Sequence, residues 1–151
     1  MNREITLEWI IALLLLLFVY TGISKLLDMQ AYKEALKLQH FPAWLYSLAV
    51  TLPFFEMIIA LGLVFKMVRG IALYGYLILM LVFTGYTGLV AFHFFKQMPC
   101  TCGGVISRLS WTQHFLFNIF FLLISCWAIW LYRKQKHVCM HKGVSQKPLK
   151  E

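Results

Sequence analysis

Two cysteines separated by one residue, Cys100 and Cys102, are the most chemically informative pair in the chain. In extended backbone, residues two apart have Cα atoms roughly 6.6 Å from each other, near the upper limit for a disulfide. Joining the two sulfurs therefore needs a bent backbone, and Gly103 and Gly104 supply conformational freedom beside the pair. A ring this small is expected to be strained, and strained, exposed disulfides exchange readily. The spacing therefore favours a redox pair over a structural staple.

Other interpretations of the two cysteines stay open. They could remain unpaired thiols, or each could pair with a separate partner chain for structural reasons. Two thiolates together with Met98 and His93 would also suit Cu(I), which prefers soft sulfur and imidazole ligands. Because this ligand set is small, we predict no metal site.

Glu56 is the second candidate, because it is the only carboxylate well inside an apolar segment, about 18 Å along a helix from Trp44. An ionised acid near the bilayer midplane costs on the order of 2.5 to 3.5 kcal/mol, so Glu56 should face the protein interior and be protonated or paired. Lys25 is the expected partner. Lys25 lies about one turn from the end of its own segment. A direct contact would therefore require either a bend of the second span near Pro53 or a position of Glu56 closer to the membrane surface than the residue count suggests. A neutral, hydrogen-bonded structural glutamate is the alternative.

Two histidines flank the cysteines in the sequence. His93 and His114 are expected near the same membrane interface, where an imidazolium would favour the reactive thiolate. The simpler alternative is that both only form hydrogen bonds. Cys126, within a later apolar segment, is predicted to be a buried residue that acts as a small hydrophobe.

The composition indicates how these residues are positioned. The 151-residue chain is 61% hydrophobic and 13% charged, with a mean hydropathy of +0.74, far more apolar than a soluble domain. Its formal charge of +8 does not point to nucleic acid, because the basic residues lie beside apolar segments and in the tail. A lipid bilayer is the expected surrounding.

Four segments are long enough to cross a membrane, at about 7–27, 44–65, 70–95 and 111–132. They must be helices, since lipid offers no hydrogen-bond partner to an open backbone. We therefore predict an all-α integral membrane four-helix bundle over residues 1–132, followed by a basic tail over 133–151. The first segment has no evident cleavage site and is expected to remain in the mature protein.

Two segments between the spans contain patterns that predict local structure. Met29, Tyr32 and Leu36 recur near helical spacing and predict a short interfacial helix between the first two spans, which Pro42 should end. A solvated loop is the alternative. Ser110 and Gln113 form a capping-box pattern at the start of the fourth span.

The distribution of Lys and Arg predicts the orientation. Nine of the 14 lie at one side of the membrane, namely Arg3, Lys66, Arg69 and the six of the tail, and five lie at the other, namely Lys25, Lys33, Lys37, Lys96 and Arg108. The positive-inside rule then places both termini in the cytoplasm and the loops 28–43 and 96–110 outside.

In their order and spacing, three stretches resemble the MauE/DoxX family of small redox-associated membrane proteins. They are Tyr20 to Leu26, Leu52 to Glu56, and Cys100 to Gly103. The family usually has Gly between the two cysteines, whereas this chain has Thr101. The resemblance implies a multi-pass protein of the bacterial inner membrane, with a methylamine-utilisation-like accessory role in disulfide formation by a thioredoxin-like partner.

The leading hypothesis from the sequence is thiol–disulfide exchange through Cys100 and Cys102 with an extracytoplasmic thioredoxin-like protein. No cofactor is evident. A quinone in the bundle is a possible electron acceptor, with Glu56 serving a proton step. A non-enzymatic membrane anchor or assembly partner and a Cu(I)-handling protein are the alternatives. The sequence does not indicate the oligomeric state.

Overall fold

A computed structural model describes residues 3–38, 42–92 and 110–144, with side chains through residue 136. In these ranges the chain forms five α-helices: α1 (Arg3–Leu27), α2 (Met29–Lys37), α3 (Ala43–Val64), α4 (Arg69–Ala91) and α5 (Trp111–Val144). The helices other than α2 are long and apolar enough to cross a membrane. The predicted all-α membrane fold is confirmed.

The four long helices close a ring. The first, α1, packs against α3 and α5, and α4 packs against the same two helices. We call the end of the bundle where α1 and α4 finish the loop end, because the segment with the paired cysteines leaves α4 there. The opposite end, where α4 begins and α5 passes Arg133, is called the basic end. Across the ring, the rings of Phe18 and Tyr76 stack with centroids 4.0 Å apart.

The outer surface of the ring is apolar. Large side chains such as Trp9, Leu16, Ile58 and Leu123 are each more than 60% exposed. A soluble protein rarely exposes so continuous an apolar surface, whereas lipid would cover it. The interior is packed by aliphatic and aromatic residues, including the fully buried Leu14, Leu63 and Leu73.

The predicted interfacial helix is confirmed as α2. The Asp28 carboxylate accepts a hydrogen bond from the Ala31 amide and caps the helix. Tyr32 and Leu36 are buried, and the Tyr32 hydroxyl donates to the Ala49 carbonyl of α3 at 2.7 Å. Pro42 was expected to end α2, but the helix already ends at Lys37, and Pro42 instead caps α3.

The helix ends differ from the predicted bounds by four or more residues at three places, the first of which is the start of α1 at Arg3 rather than at about residue 7. The end of α4 lies at Ala91, and residues 93–95 of the predicted span lie outside the described residues. The last helix continues past the predicted end at 132 to Val144, so the predicted tail begins within it. Hydropathy falls after Tyr132, but Arg, Lys and Gln are good helix formers, and the helix therefore does not have to stop where the apolar run does.

Candidate functional site

A buried ion pair joins α1 and α3 inside the bundle. The Lys25 ammonium donates to Glu56 Oε1 at 2.5 Å. Glu56 is completely buried and Lys25 is 5% exposed, so water screens neither charge. Removing two charges from water costs several kcal/mol per ion, which such a pair offsets only in close contact with good hydrogen bonding. The contact suggested by the sequence is therefore present.

The reach of Lys25 follows from the direction of side chains in a helix. They point back toward the helix N-terminus, so Lys25 projects toward the level of Thr21, one turn earlier. Glu56 lies at that level, since its Oε2 is 3.5 Å from Thr21 Oγ1. Thr21 lies six residues, or about 9 Å, before the end of α1 at Leu27, so relative to α1 Glu56 is shallower than the roughly 18 Å counted from Trp44.

The Thr21 hydroxyl stabilises the Glu56 carboxylate less than the 3.5 Å distance between their oxygens suggests. Its hydroxyl has one proton, and the Leu17 carbonyl, at 3.0 Å, is a closer acceptor than Glu56. Gly22 is the second element of the contact, because a Cβ there would lie 3.0 Å from Met57 Sδ and 3.5 Å from Glu56 Oε2. The missing side chain lets α1 approach α3 closely at the level of the ion pair.

Aromatic rings surround the charges. The Lys25 ammonium lies 5.2 Å from the centre of the Phe83 ring, within the range of a cation–π contact. Tyr76, stacked on Phe18, is fully buried, and its hydroxyl has no hydrogen-bond partner among the described residues. An unsatisfied buried hydroxyl is unusual and calls for an explanation, such as a bound water.

A cavity of about 70 Å³ borders the ion pair. Its polar lining comes from all five helices and comprises Thr21, Lys25, Tyr32, Glu56, Tyr86, Thr87, His114 and Asn118. The Asn118 amide donates to Thr87 Oγ1 at 3.2 Å and links α5 to α4 across it. An apolar cavity of about 150 Å³ is known to admit benzene, and a water occupies about 30 Å³ in the liquid. This cavity is therefore suited to a few waters rather than to a ring.

His114 lies in this cavity wall and not only near the interface, as the sequence suggested. It is 3% exposed and sits in the first turn of α5. The capping box fixes the start of that turn, since the Gln113 amide donates to Ser110 Oγ at 3.3 Å and the Ser110 amide donates to Gln113 Oε1 at 3.0 Å. The predicted capping box is thereby confirmed.

The structure brings together three of the six predicted site residues: Lys25, Glu56 and His114. The other three, Cys100, Cys102 and His93, lie outside the described residues. Chain connectivity nevertheless relates them to the cavity. Their segment joins Phe92 to Ser110, and the helices on either side, α4 and α5, contribute Thr87, His114 and Asn118 to the cavity lining.

Sequence reasoning missed Asn118 and Thr87. A signal was available for Asn118, because an amide inside an apolar span is expensive unless it faces a partner or a cavity. Thr87 gave a weaker signal, since a threonine in a membrane helix can satisfy its hydroxyl on its own backbone, as this one does with the Phe83 carbonyl at 2.9 Å.

The prediction for Cys126 was wrong. The residue is exposed on α5 and bears a free thiol, whereas its neighbour Ser125 is fully buried. The apolar residues of α5 favour no face, and its inward side is marked instead by the buried polar residues His114, Asn118 and Ser125.

A second ion pair lies at the basic end. Arg69 Nη1 and Nη2 donate to the two carboxylate oxygens of Glu8 at 2.7 and 3.3 Å, and Arg69 Nε donates to the Leu63 carbonyl at 3.1 Å. The arginine thus ties the start of α4 to α1 and to the end of α3. Its bidentate geometry is typical of a structural Arg–carboxylate contact.

The comparisons with known proteins add a family. A family model described as methylamine utilisation protein MauE matches residues 3–131, which include all four spans almost completely. No curated protein and no solved structure matches the chain. The resemblance noted in the sequence is confirmed.

Proposed function

The chain belongs to the MauE family, and we propose that it supports disulfide maturation of extracytoplasmic proteins. The family match supports a multi-pass membrane protein associated with methylamine utilisation. The chemistry is thiol–disulfide exchange through Cys100 and Cys102. The partner we propose is a thioredoxin-like protein. One observation carries this proposal: the segment with the cysteine pair joins the two helices that contribute His114, Thr87 and Asn118 to the cavity of the buried ion pair.

The exchange balances without a further reagent. A thiolate of the partner attacks the Cys100–Cys102 disulfide, forming a mixed disulfide and releasing one cysteine thiolate of this chain. The second partner thiol then displaces the remaining sulfur, so that the partner gains a disulfide and this chain holds two thiols. The two protons of the partner dithiol pass to the two cysteines. Attack requires thiolate, so a nearby proton acceptor would raise the rate.

Glu56 and His114 are the groups we propose for the proton step. Both line a polar cavity with room for a few waters, and waters can carry protons between groups that do not touch. His114 is in the first turn after the cysteine segment, whereas Glu56 is deeper and neutralised by Lys25. His114 is therefore the proposed first acceptor, and the Lys25–Glu56 pair keeps the cavity polar.

The cavity beside the ion pair is less suited to a quinone than the sequence suggested. The cavity has about half the volume that admits a benzene-sized molecule. We therefore propose no quinone site in this cavity. If a quinone reoxidises the thiols, it would have to meet the protein elsewhere.

We propose the bacterial inner membrane as the location, with both termini in the cytoplasm and the cysteine segment outside. The charge bias supports this orientation. Burial of Arg69 at the basic end and of Lys25 at the loop end takes one cation from each count, so the bias that supports this proposal keeps its direction.

Thiol alkylation followed by peptide mass spectrometry tests the proposal. In oxidised membranes Cys100 and Cys102 should resist a membrane-impermeant reagent applied from outside, and reductant should expose both. Cys126 is the matched control, since its thiol is free and its labelling by a permeant reagent should not respond to reductant. If both paired cysteines stay free under oxidising conditions, or if label reaches them only from the cytoplasm, the exchange mechanism is wrong.

A variant separates exchange from a scaffold role. Cys100→Ser with Cys102→Ser should abolish oxidation of the thioredoxin-like partner, while Cys126→Ser should leave it unchanged. Intact oxidation of the partner in the double variant would instead support a non-enzymatic assembly partner.

A further inference from the structure

A second, larger groove opens at the basic end, remote from the ion-pair cavity. It encloses about 550 Å³ between the start of α4 and the distal part of α5. Its lining consists of Met67, Gly70, Ile71, Tyr74, Tyr132, Arg133 and Lys136. Gly70 sets the width of the helix contact there, because a Cβ would lie 3.0 Å from the Tyr132 ring.

The charge in the groove is positive and unmatched. Among the side chains that the structure describes, Arg133 and Lys136 have no ion-pair partner and no carboxylate lines the groove. Two other cations at this end are engaged: Arg69 binds Glu8, and the Lys134 ammonium lies 4.1 Å from the centre of the Trp130 ring. Two free cations that converge on one concave surface favour an anionic ligand.

The remaining lining is apolar and faces the lipid. Met67 is 96% exposed, Ile71 77% and Tyr74 46%, and Ile71 and Tyr74 follow one face of α4 away from the charges. A ligand that fills this groove should therefore have an anionic part at the membrane surface and an apolar part that runs along α4. The Tyr132 hydroxyl, which a Cβ at Gly70 would approach to 3.1 Å, adds a hydrogen-bond donor to the groove.

We propose that this groove binds an anionic phospholipid, with the headgroup phosphate between Arg133 and Lys136 and an acyl chain along Ile71 and Tyr74. Basic pockets between membrane helices at this kind of interface suit lipid headgroups. Each Lys or Arg near an anionic lipid contributes an attraction that corresponds to about a fivefold change in affinity. The proposal does not depend on the thiol chemistry.

Native mass spectrometry of the purified full-length protein tests it, with phosphatidylglycerol and phosphatidylcholine as probes. The protein should bind phosphatidylglycerol more tightly, and Arg133→Gln with Lys136→Gln should weaken that binding about 25-fold. Lys134→Gln and Lys66→Gln together are the matched control, because they remove the same charge outside the groove lining. The control pair should change binding less than threefold.

Each other outcome would overturn the proposal. Equal weakening by the control pair would mean general charge attraction. Equal binding of phosphatidylcholine would mean that the groove does not recognise an anion. Displacement of the lipid by millimolar inorganic phosphate would assign the cations to a free phosphate instead. Gln is a good helix former, so a thermal unfolding midpoint unchanged from the parent protein would show that the variants are folded.

Discussion

The two ion pairs of the bundle differ in burial more than in distance. Lys25 and Glu56 meet at 2.5 Å with side chains 5% and 0% exposed. Arg69 and Glu8 meet at 2.7 Å, but the Glu8 side chain is 53% exposed. Solvent therefore reaches one carboxylate and not the other. A distance criterion alone would treat the two pairs as equivalent.

The comparison shows that burial decides how much an ion pair contributes to the stability of the folded protein. Removing one member of a buried pair leaves an uncompensated charge in a medium of low dielectric constant. In the other pair the Glu8 carboxylate keeps part of its hydration, because its side chain is 53% exposed, and it therefore gains less from the contact, although the Arg69 guanidinium is buried. The buried pair also borders a cavity with polar walls, which gives it a possible role beyond stability.

Breaking the buried pair should have the largest effect. Glu56→Leu leaves the buried Lys25 ammonium without its counter-charge, and we expect a loss of about 3–5 kcal/mol of unfolding free energy. Unfolding of the purified protein by SDS or by steric trapping would measure it. A loss below about 1 kcal/mol would mean that Glu56 is neutral in the folded protein and that the pair contributes little to the free energy of unfolding.

Removing both members should restore much of that loss. Lys25→Met combined with Glu56→Leu leaves no unpaired charge, and we expect it to recover at least about 2 kcal/mol relative to Glu56→Leu alone. The same double variant separates folding from function: recovered stability with impaired oxidation of the partner protein would place the pair in the proton step. Simple addition of the two single losses would argue that the residues are not coupled.

The half-exposed pair should respond much less. Glu8→Gln is expected to cost about 1–2 kcal/mol, because the introduced amide oxygen and the Leu63 carbonyl can still accept hydrogen bonds from the buried Arg69 guanidinium. Raising the salt concentration should shrink this difference and leave that of Glu56→Leu nearly unchanged. A Glu8→Gln cost equal to that of Glu56→Leu would remove the distinction between the pairs.

The smallest effect is expected at the buried hydroxyl between the two pairs. Tyr76→Phe keeps the stack on Phe18 and removes a group without a partner, so stability should stay constant or rise by about 1 kcal/mol. A clear loss would reveal that the hydroxyl binds a water in the parent protein and extends the polar network of Glu56.

Much of this protein was predictable from local sequence. Four apolar runs require four membrane helices, because lipid satisfies no backbone hydrogen bonds. Ser110 and Gln113 predict a capping box, and Met29, Tyr32 and Leu36 predict the short helix, since these patterns depend on residues within one or two turns. The order of three short stretches was enough to indicate the family. The chemistry of Cys100 and Cys102 remains a prediction of the sequence alone.

Only the tertiary structure decided which polar groups meet. The apolar residues of α5 favour no face, so their periodicity does not indicate the inward side, and Cys126 was assigned to the wrong one. Asn118 carried a signal for the inward face, which was overlooked. Whether Lys25 could reach Glu56 depended on the approach of α1 to α3 at Gly22 and on the backward direction of the lysine side chain. The cavity that joins this pair to His114 is formed by residues from separate helices, and their relative rotation is fixed by packing over the whole bundle.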